Sequence, residues 1–245
     1  MATGTFPDIP IIIDQTLSER VADQLREAIL RGQIKPGQHI VETDVVNATK
    51  ISRGPVREAL RILENEHLVV RYPRRGTFVA RLELRDAEEI YSLREGIEMI
   101  ALEYAVRQAT DAQLNELDGI VAAMERRLQQ TSTAFELTDI DLEFHHVLCH
   151  ISGHSRVITA WNNIRPQIRF LLLTHRIPRP LGLEDDIVVR HKAIMVTLRQ
   201  RDLAMARKVF HEHLADSLES TLTAIREAAA TNNPSALAQQ QRLSA

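Results

Sequence analysis

The hydrophobic pattern of the chain changes once, near residue 82. Before that point, helical spacing is interrupted by two short runs rich in β-branched and aromatic residues, at 68–72 and 77–80. Beyond it, every apolar stretch to about residue 230 repeats with the spacing of an amphipathic helix, and none has the alternation of a strand. The pattern predicts a mainly α-helical fold: a small N-terminal mixed module followed by an antiparallel all-helical bundle.

The N-terminal stretch has the outline of a winged helix-turn-helix. Ser18 is a candidate N-cap for a first helix that runs to about residue 31, and a short helix is expected over 42–49. Ser52 can cap the next helix, with Pro55 in its first turn, and a hairpin with a basic tip at 73–76 follows. We therefore divide the chain into a flexible arm (1–16), a winged helix-turn-helix (17–81), a helical effector-binding and dimerisation region (82–230) and a disordered tail (231–245).

Charge is segregated along a chain whose composition is that of an ordinary globular protein. The formal net charge is −3, but residues 50–81 carry +5 and residues 82–245 carry −5. A basic module on an acidic body suggests a polyanionic partner at one end only. A single cysteine excludes an internal disulfide framework, and neither a signal-peptide profile nor a membrane-spanning run is visible. A soluble, cytoplasmic protein is expected.

The second helix of the helix-turn-helix carries the candidate DNA-binding residues. Arg53 and Arg57 lie one turn apart at its N-terminal end, the part that meets base edges in the major groove. Ser52 and the helix N-terminus suit a phosphate. In the hairpin, Arg74 and Arg75 precede a glycine that would let the backbone approach DNA. The alternative is that these arginines form a solvated face paired with nearby glutamates.

Three segments of this region together resemble the N-terminal domain of GntR-type transcriptional regulators: LSERVADQLREAILRGQIKPGQHI, ISRGPVREALRILENEHLV and RYPRRGTFVA. The resemblance implies DNA-contact roles for a set of five residues: Ser52, Arg53, Gly54, Arg57 and Gly76. It also identifies three departures. Thr43 stands at a DNA-contact position where the family usually has a phosphate-binding arginine, and Lys50 and His67 stand where it usually has glycine.

A second group of chemically active residues lies in the helical region. Asp141 and His145, four residues apart, project from one face of a helix, and the apolar neighbours of His191 and His213 predict that both point inward. Three histidines and an aspartate are the ligand types that divalent transition metals select. The alternative is a set of separate core histidines, each satisfied by a hydrogen bond, but burying several unpaired polar groups is costly.

The helical region also resembles the FCD ligand-binding domain of the FadR branch of the GntR family, over about residues 86–226. That resemblance implies a divalent metal held by Asp141, His145, His191 and His213, without distinguishing zinc, nickel and manganese. Four protein ligands leave coordination positions for a small carboxylate-containing effector. Arg94 is the first candidate to balance its second oxygen and Arg169 the second, although both can also serve as ion-pair partners within the bundle.

These features predict a ligand-responsive transcriptional regulator, most often a repressor in such a family, rather than an enzyme. The helical region would form a homodimer and place two recognition helices on a pseudo-palindromic double-stranded DNA operator. Two alternatives stay open. The metal can itself be the effector, or the His/Asp centre can belong to a metal-dependent hydrolase or lyase, for which Glu143 is the only nearby base and is turned away by helical spacing.

Overall fold

The computed structural model describes residues 15–130, 133–174 and 185–232, so most of the predicted arm and tail lie outside the described residues. The N-terminal module contains α1 (Leu17–Leu30), β1 (His39–Ile40), α2 (Glu42–Thr49), α3 (Arg53–Asn65), β2 (Val69–Tyr72) and β3 (Gly76–Val79). The helical bundle contains α4 (Leu84–Gln108), α5 (Asp111–Leu128), α6 (Ala134–Ile151), α7 (Ser155–Thr174), α8 (Asp185–Gln200) and α9 (Leu203–Asn232). The predicted fold class is confirmed: a winged helix-turn-helix precedes an all-helical region.

The N-terminal module packs three helices against a small antiparallel sheet. The strand order is β1-β3-β2, and the β2–β3 hairpin, called the wing from here on, pairs Val69 with Val79 and Tyr72 with Gly76. Strand β1 was not expected from the sequence, because two residues are too few to show an alternating pattern. Apolar residues of α1 and α3 form the centre of the module, where Val21, Val56 and Leu60 are fully buried.

The first helix begins two residues earlier than Ser18 as an N-cap implies. Thr16 is the N-cap, and its hydroxyl accepts a hydrogen bond from the Glu19 amide while the Glu19 carboxylate accepts one from the Thr16 amide. This reciprocal arrangement satisfies two donors of the first turn at once, so it outcompetes an isolated serine. The Thr-x-x-Glu spacing was visible in the sequence, and the choice of Ser18 was wrong.

Helix α4 is the central element of the bundle. It packs against α6, α7 and α9, while α5 lies against α6 and α8. Ile97, Ala101 and Leu102 of α4 are buried in the common core, but Leu93 and Tyr104 of the same helix are 56% and 41% exposed. One face of α4 therefore carries apolar side chains that the single chain does not cover. No helix within the described residues is long and apolar enough to cross a membrane.

The module and the bundle meet where α1 contacts α7 and the beginning of α6. Phe170 of α7 belongs to the buried cluster of the N-terminal module. The Phe135 ring of α6 lies between two guanidinium groups, with Arg31 at 4.5 Å and Arg169 at 4.4 Å from the ring centre. Arg169 also bonds Glu27 of α1 at 3.1 Å. Helix α6 thus has its first turns at the contact with α1 and its middle turns in the bundle core.

Candidate metal centre and nucleic-acid interface

Four side chains from three helices converge in the interior of the bundle. Asp141 and His145 lie on α6, His191 on α8 and His213 on α9, all four are buried, and one ligand atom from each lies within 4.8 Å of the others. The His213 Nε2 to His145 Nε2 distance is 3.2 Å. From Asp141 Oδ1 the distances are 3.4 Å to His191 Nε2 and 3.9 Å to His145 Nε2. The sequence placed these four residues on one interior, and the helices bring them to one point.

The tautomer of His191 leaves a lone pair facing this point. Its Nδ1 lies 2.7 Å from the Ile187 carbonyl oxygen, which can only accept, so Nδ1 carries the proton. The Nε2 atom is then an acceptor, it is buried, and it has no hydrogen-bond partner among the described residues. Its nearest charged neighbour is the Asp141 carboxylate, another acceptor. Two acceptors that face each other without a proton between them repel, and a cation removes that repulsion.

His145 is oriented in the same sense by a side chain that the sequence analysis did not assign to a site. Its Nδ1 contacts the carboxylate of Glu98, a fully buried residue of α4. A carboxylate accepts, so Nδ1–H donates to it and Nε2 is directed at the cluster as a lone pair. Only the placement of α4 against α6 reveals this contact, because 47 residues separate the two side chains.

Burial also keeps two of the imidazoles neutral. It lowers the pKa of His191 to about 4, against a smaller opposing effect of the Asp141 carboxylate. Burial, with the neighbouring His191 and His145, also lowers the pKa of His213 well below its ordinary value. Neutral imidazoles are the form that binds metal, so three nitrogens and one carboxylate oxygen stand ready as ligands at neutral pH. This donor set fits a divalent transition metal.

Arg94 of α4 lies beside this cluster with unused hydrogen-bonding capacity. Its Nε donates to Glu98 Oε1 at 2.6 Å, while both terminal nitrogens are buried and have no hydrogen-bond partner among the described residues. Burial opposes the charged form, but Glu98, Tyr91 and Asp141 outweigh it and raise the pKa of Arg94. The side chain is therefore a buried cation whose two free N–H groups match the two oxygens of a carboxylate.

The structure does not bring Arg169 into this group. Its guanidinium bonds Asp139 of α6 at 2.7 and 3.0 Å and Glu27 of α1 at 3.1 Å, so its contacts join the bundle to the N-terminal module. Glu143, the candidate base for an enzyme, pairs with Arg165 at 3.0 Å on the partly exposed side of α6. Neither residue has a recorded contact with the four converging side chains.

The predicted DNA-contact residues of the helix-turn-helix lie together at the surface of α2 and α3. Ser52 is the N-cap of α3 and makes no capping bond with its side chain, so its hydroxyl is not committed to the helix. Arg53 and Gly54 are exposed, and Arg57 Nε donates to Glu42 Oε2 of α2 at 2.8 Å. A methyl group added at Gly54 would meet no atom of the chain within 4 Å. Thr43 is exposed on α2.

The wing presents its basic tip next to aromatic side chains. Arg74 and Arg75 are exposed, and the Arg75 guanidinium lies 5.6 Å from the centre of the Tyr72 ring. Gly76 has φ +100°, a conformation that a side chain rarely adopts, and a Cβ there would lie 2.3 Å from His39 Nε2. The glycine is therefore required by the turn and by the close approach of β1.

Two of the departures from the GntR pattern occur at left-handed backbone positions. Lys50, the C-cap of α2, has φ 59°, and His67, just before β2, has φ 58°. Glycine adopts such a conformation without a steric cost, whereas other residues pay about 1–2 kcal/mol. The backbone geometry thus explains why glycine is the usual residue at both places and shows that this chain keeps the geometry without it.

Comparison with known families covers both parts of the chain. Residues 17–79 match the family of bacterial regulatory proteins called the gntR family, and residues 89–216 match the FCD domain.

Individual relatives agree with this. The chain is 30% identical over 200 residues to the gluconate operon transcriptional repressor of Bacillus subtilis (strain 168), which covers 80% of this chain and 82% of the relative. It is 27% identical over 217 residues to the HTH-type transcriptional repressor RspR of Escherichia coli (strain K12), covering 84% of this chain and 89% of the relative.

Two solved structures have the same fold. A transcriptional regulator GntR from Rhodococcus sp. RHA1 superposes with a TM-score of 0.70 at 22% identity, over 84% of this chain and 98% of the other. The E. coli protein McbR/YncC superposes with a TM-score of 0.69 at 21% identity, over 86% and 99% of the two chains.

Proposed function

Because the chain belongs to the GntR family of bacterial transcriptional regulators and carries an FCD domain, we propose that it is a repressor controlled by a small organic acid bound at a divalent metal ion. As a GntR-family regulator it acts on DNA and is not an enzyme. One observation carries the finer proposal. Four buried acceptors face one another beside Arg94, whose two terminal nitrogens are unpartnered. A cation and an anion, bound side by side, resolve both mismatches.

The ligand chemistry follows from these two mismatches. Asp141, His145, His191 and His213 would hold the metal, which supplies positive charge and open coordination positions for an oxygen of the acid. Arg94 then pairs with a carboxylate through its two terminal N–H groups. The name of the gluconate operon repressor makes sugar acids the first compounds to test, followed by hydroxy acids and dicarboxylates.

DNA recognition is assigned to α3 and the wing. Arg53 and Arg57 would reach base edges in the major groove, and Ser52 would contact a phosphate. Glu42 holds Arg57 in the absence of DNA and can be exchanged for a base or phosphate at small cost, because the pair is exposed to water. Arg74, Arg75 and Gly76 would place the wing against the DNA backbone.

We assign homodimerisation to the uncovered face of α4. Leu93, Ile100 and Tyr104 lie on that face and are 56%, 46% and 41% exposed. Gly96, between the first two, leaves room for a partner backbone. An apolar stripe of this kind on one helix suits a two-fold symmetric contact with the same helix of a second copy. Sedimentation of the full chain tests this, and Ile100→Glu is expected to yield monomers.

Helix α6 offers a physical route from the ligand to the DNA-binding module. Asp141 and His145 lie in its middle turns, while Phe135 and Asp139 contact the arginines that reach α1. A shift of α6 on ligand binding would therefore change the contact with α1. Regulation requires that the acid bind the two arrangements with different affinity, typically 5- to 150-fold. Phe135→Ala is expected to weaken the coupling while leaving ligand binding intact.

The test combines DNA, metal and acid in one titration. A duplex selected by the wild-type protein from a randomised library serves as the DNA probe, and binding is followed by fluorescence anisotropy. Metal-free protein receives zinc, nickel or manganese, and then gluconate or another acid. We expect the acid to change DNA affinity only when metal is bound and Arg94 is present. If the metal alone switches DNA binding, the metal is the effector and the acid model is wrong.

Gly54 gives the DNA assignment a sharp control. Gly54→Ala improves the helix propensity of α3 by up to about 1 kcal/mol and meets no atom of the chain, so the fold is expected to persist. If DNA lies against the N-terminus of α3, the added methyl group should nevertheless weaken DNA binding. Arg57→Ala should reduce discrimination between sequences by about 1–3 kcal/mol. Salt-insensitive binding, or binding unchanged in both variants, contradicts the assignment.

A further inference from the structure

Glu98 is a buried carboxylate that contacts two groups of the proposed ligand site and is itself in neither. It lies on α4, its side chain is 0% exposed, and its two oxygens point in different directions. Oε2 contacts His145 Nδ1, and Oε1 accepts from Arg94 Nε at 2.6 Å. No other buried acid among the described residues has a recorded contact with both a proposed metal ligand and the proposed carboxylate-binding arginine.

We propose that Glu98 is the positioning residue that couples the two halves of the ligand site: it holds His145 in its metal-binding tautomer and turns the free edge of Arg94 toward the bound acid. The inference rests on the proposed function and deepens it. Metal and acid would then share one organising side chain, although Glu98 touches neither of them. Loss of Glu98 should weaken both, whereas loss of Arg94 should weaken chiefly the acid.

The three imidazoles of the site differ in what holds their second nitrogen. His191 uses a backbone carbonyl, that of Ile187, and the Nδ1 of His213 is buried without a hydrogen-bond partner among the described residues. His145 alone of the three contacts a side-chain carboxylate. An anionic partner fixes the ring orientation and makes the opposite nitrogen a stronger ligand than a neutral carbonyl does. A side chain can also move or be replaced, so His145 is the ligand most open to control.

The contact with Arg94 is equally specific. A guanidinium can offer a carboxylate either its two terminal nitrogens or one side edge. Because Glu98 occupies Nε, the edge formed by the two terminal nitrogens is left free, and this is the edge that pairs with both oxygens of an acid. Glu98 therefore selects which face of Arg94 is presented to the ligand.

The competing explanation is an ordinary buried ion pair between Arg94 and Glu98, one turn apart on α4, that only stabilises the bundle. Such a pair predicts that removing Glu98 changes stability and leaves metal affinity alone. A positioning role predicts a change in metal affinity and in the His145 tautomer that stability does not explain.

The first experiment titrates full-length, metal-free protein with Co²⁺ and follows the visible absorption of the bound ion. We expect Glu98→Gln to bind Co²⁺ about 10- to 100-fold more weakly than wild type, the usual effect of removing a carboxylate partner from a histidine ligand. Glu95→Gln is the matched control, because Glu95 also lies on α4 and contacts a histidine, His211, at 2.5 Å on the exposed side. It should bind Co²⁺ as wild type does.

The second measurement needs no metal. Long-range ¹H–¹⁵N spectra of the imidazoles should show His145 protonated at Nδ1 in the wild-type chain and mixed tautomers in Arg94→Met/Glu98→Leu. This double variant removes both charges together, so no lone buried ion remains, and replacing a buried ion pair by apolar residues is often neutral for stability. It therefore stands in for Glu98→Gln if that variant fails to fold.

The outcomes separate the inference from the function on which it rests. If wild-type protein binds no Co²⁺, the metal proposal is wrong, and the tautomer comparison still decides the role of Glu98. If wild type binds Co²⁺ and the folded Glu98 variants bind it equally well with the same His145 tautomer, Glu98 is a structural residue and the inference is overturned.

Discussion

Two arginine–glutamate pairs of similar length lie in the two halves of the molecule. In the N-terminal module Arg57 and Glu42 are 2.8 Å apart, with side chains 63% and 34% exposed. In the bundle Arg94 and Glu98 are 2.6 Å apart, with side chains 1% and 0% exposed. Water screens the first pair, so either partner can be exchanged for another charged group at little cost. The second pair has no water to replace a lost partner.

The difference separates two ways of using the same chemistry. A DNA-binding surface must release and regain polar contacts as it moves along a polymer, and exposed arginines do so without disturbing the fold. A small-ligand site must hold its groups in place before the ligand arrives, which requires burial and a fixed partner for each group. In this chain the site that contains Arg94 meets that requirement, and the surface that contains Arg57 avoids it.

The largest effect should come from breaking one pair in each half. Arg94→Ala leaves the Glu98 carboxylate without its arginine, and we expect the free energy of unfolding to fall by about 3–5 kcal/mol. Arg57→Ala should change it by less than about 1 kcal/mol while it weakens DNA binding. Urea denaturation of both variants at neutral pH measures this contrast. Similar stability losses in the two variants would remove the distinction between the halves.

A smaller effect should separate the halves by pH. The pKa of His191 is about 4 in the folded chain and 6.5 as a reference, so the unfolded chain binds more protons between these values. Stability from this group is therefore complete above pH 6.5 and is lost as the pH falls, by roughly 3 kcal/mol at pH 4. The neighbours that face His191 are Asp141, His145, His213 and Arg94.

Denaturation of chelator-treated protein between pH 7 and pH 4 measures this loss. His191→Asn should flatten the decline, whereas His211→Asn, on the surface of α9, should leave it in place. A decline that is unchanged in His191→Asn would mean that other groups control the acid stability of the bundle.

The smallest effects should come from left-handed residues in the two halves. His67→Gly and Lys50→Gly relieve backbone strain in the N-terminal module, and each should stabilise the chain by up to about 1 kcal/mol. Arg201 in the bundle has φ 57°, but its guanidinium donates to the carbonyls of Ala105 and Val106 at 3.0 and 3.1 Å. Arg201→Gly should therefore destabilise the chain. Thermal unfolding of the three variants gives the signs, and stabilisation by Arg201→Gly would show that its hydrogen bonds contribute little.

Local features were read correctly wherever one segment contains all the information. The α6 boundaries, the turn between α2 and α3 and the wing follow from helical period, capping residues and a glycine-containing turn, all within a few residues of one another. Strand β1 escaped because it forms only by pairing with β3, far along the chain. The N-cap Thr16 was missed although its partner Glu19 lies only three residues away, so that error belongs to the interpretation and not to the sequence.

The ligand site divides along the same line. Asp141 and His145 share a face because four residues make about one helical turn, and the inward direction of His191 and His213 follows from their apolar neighbours. By itself, then, the sequence determined the family, the helices and the four converging side chains, since each follows from spacing within a helix. Only the tertiary structure decided that Glu98 stands behind His145 and that Arg169 joins α7 to α1, because helical spacing states which residues share a face and not which faces meet.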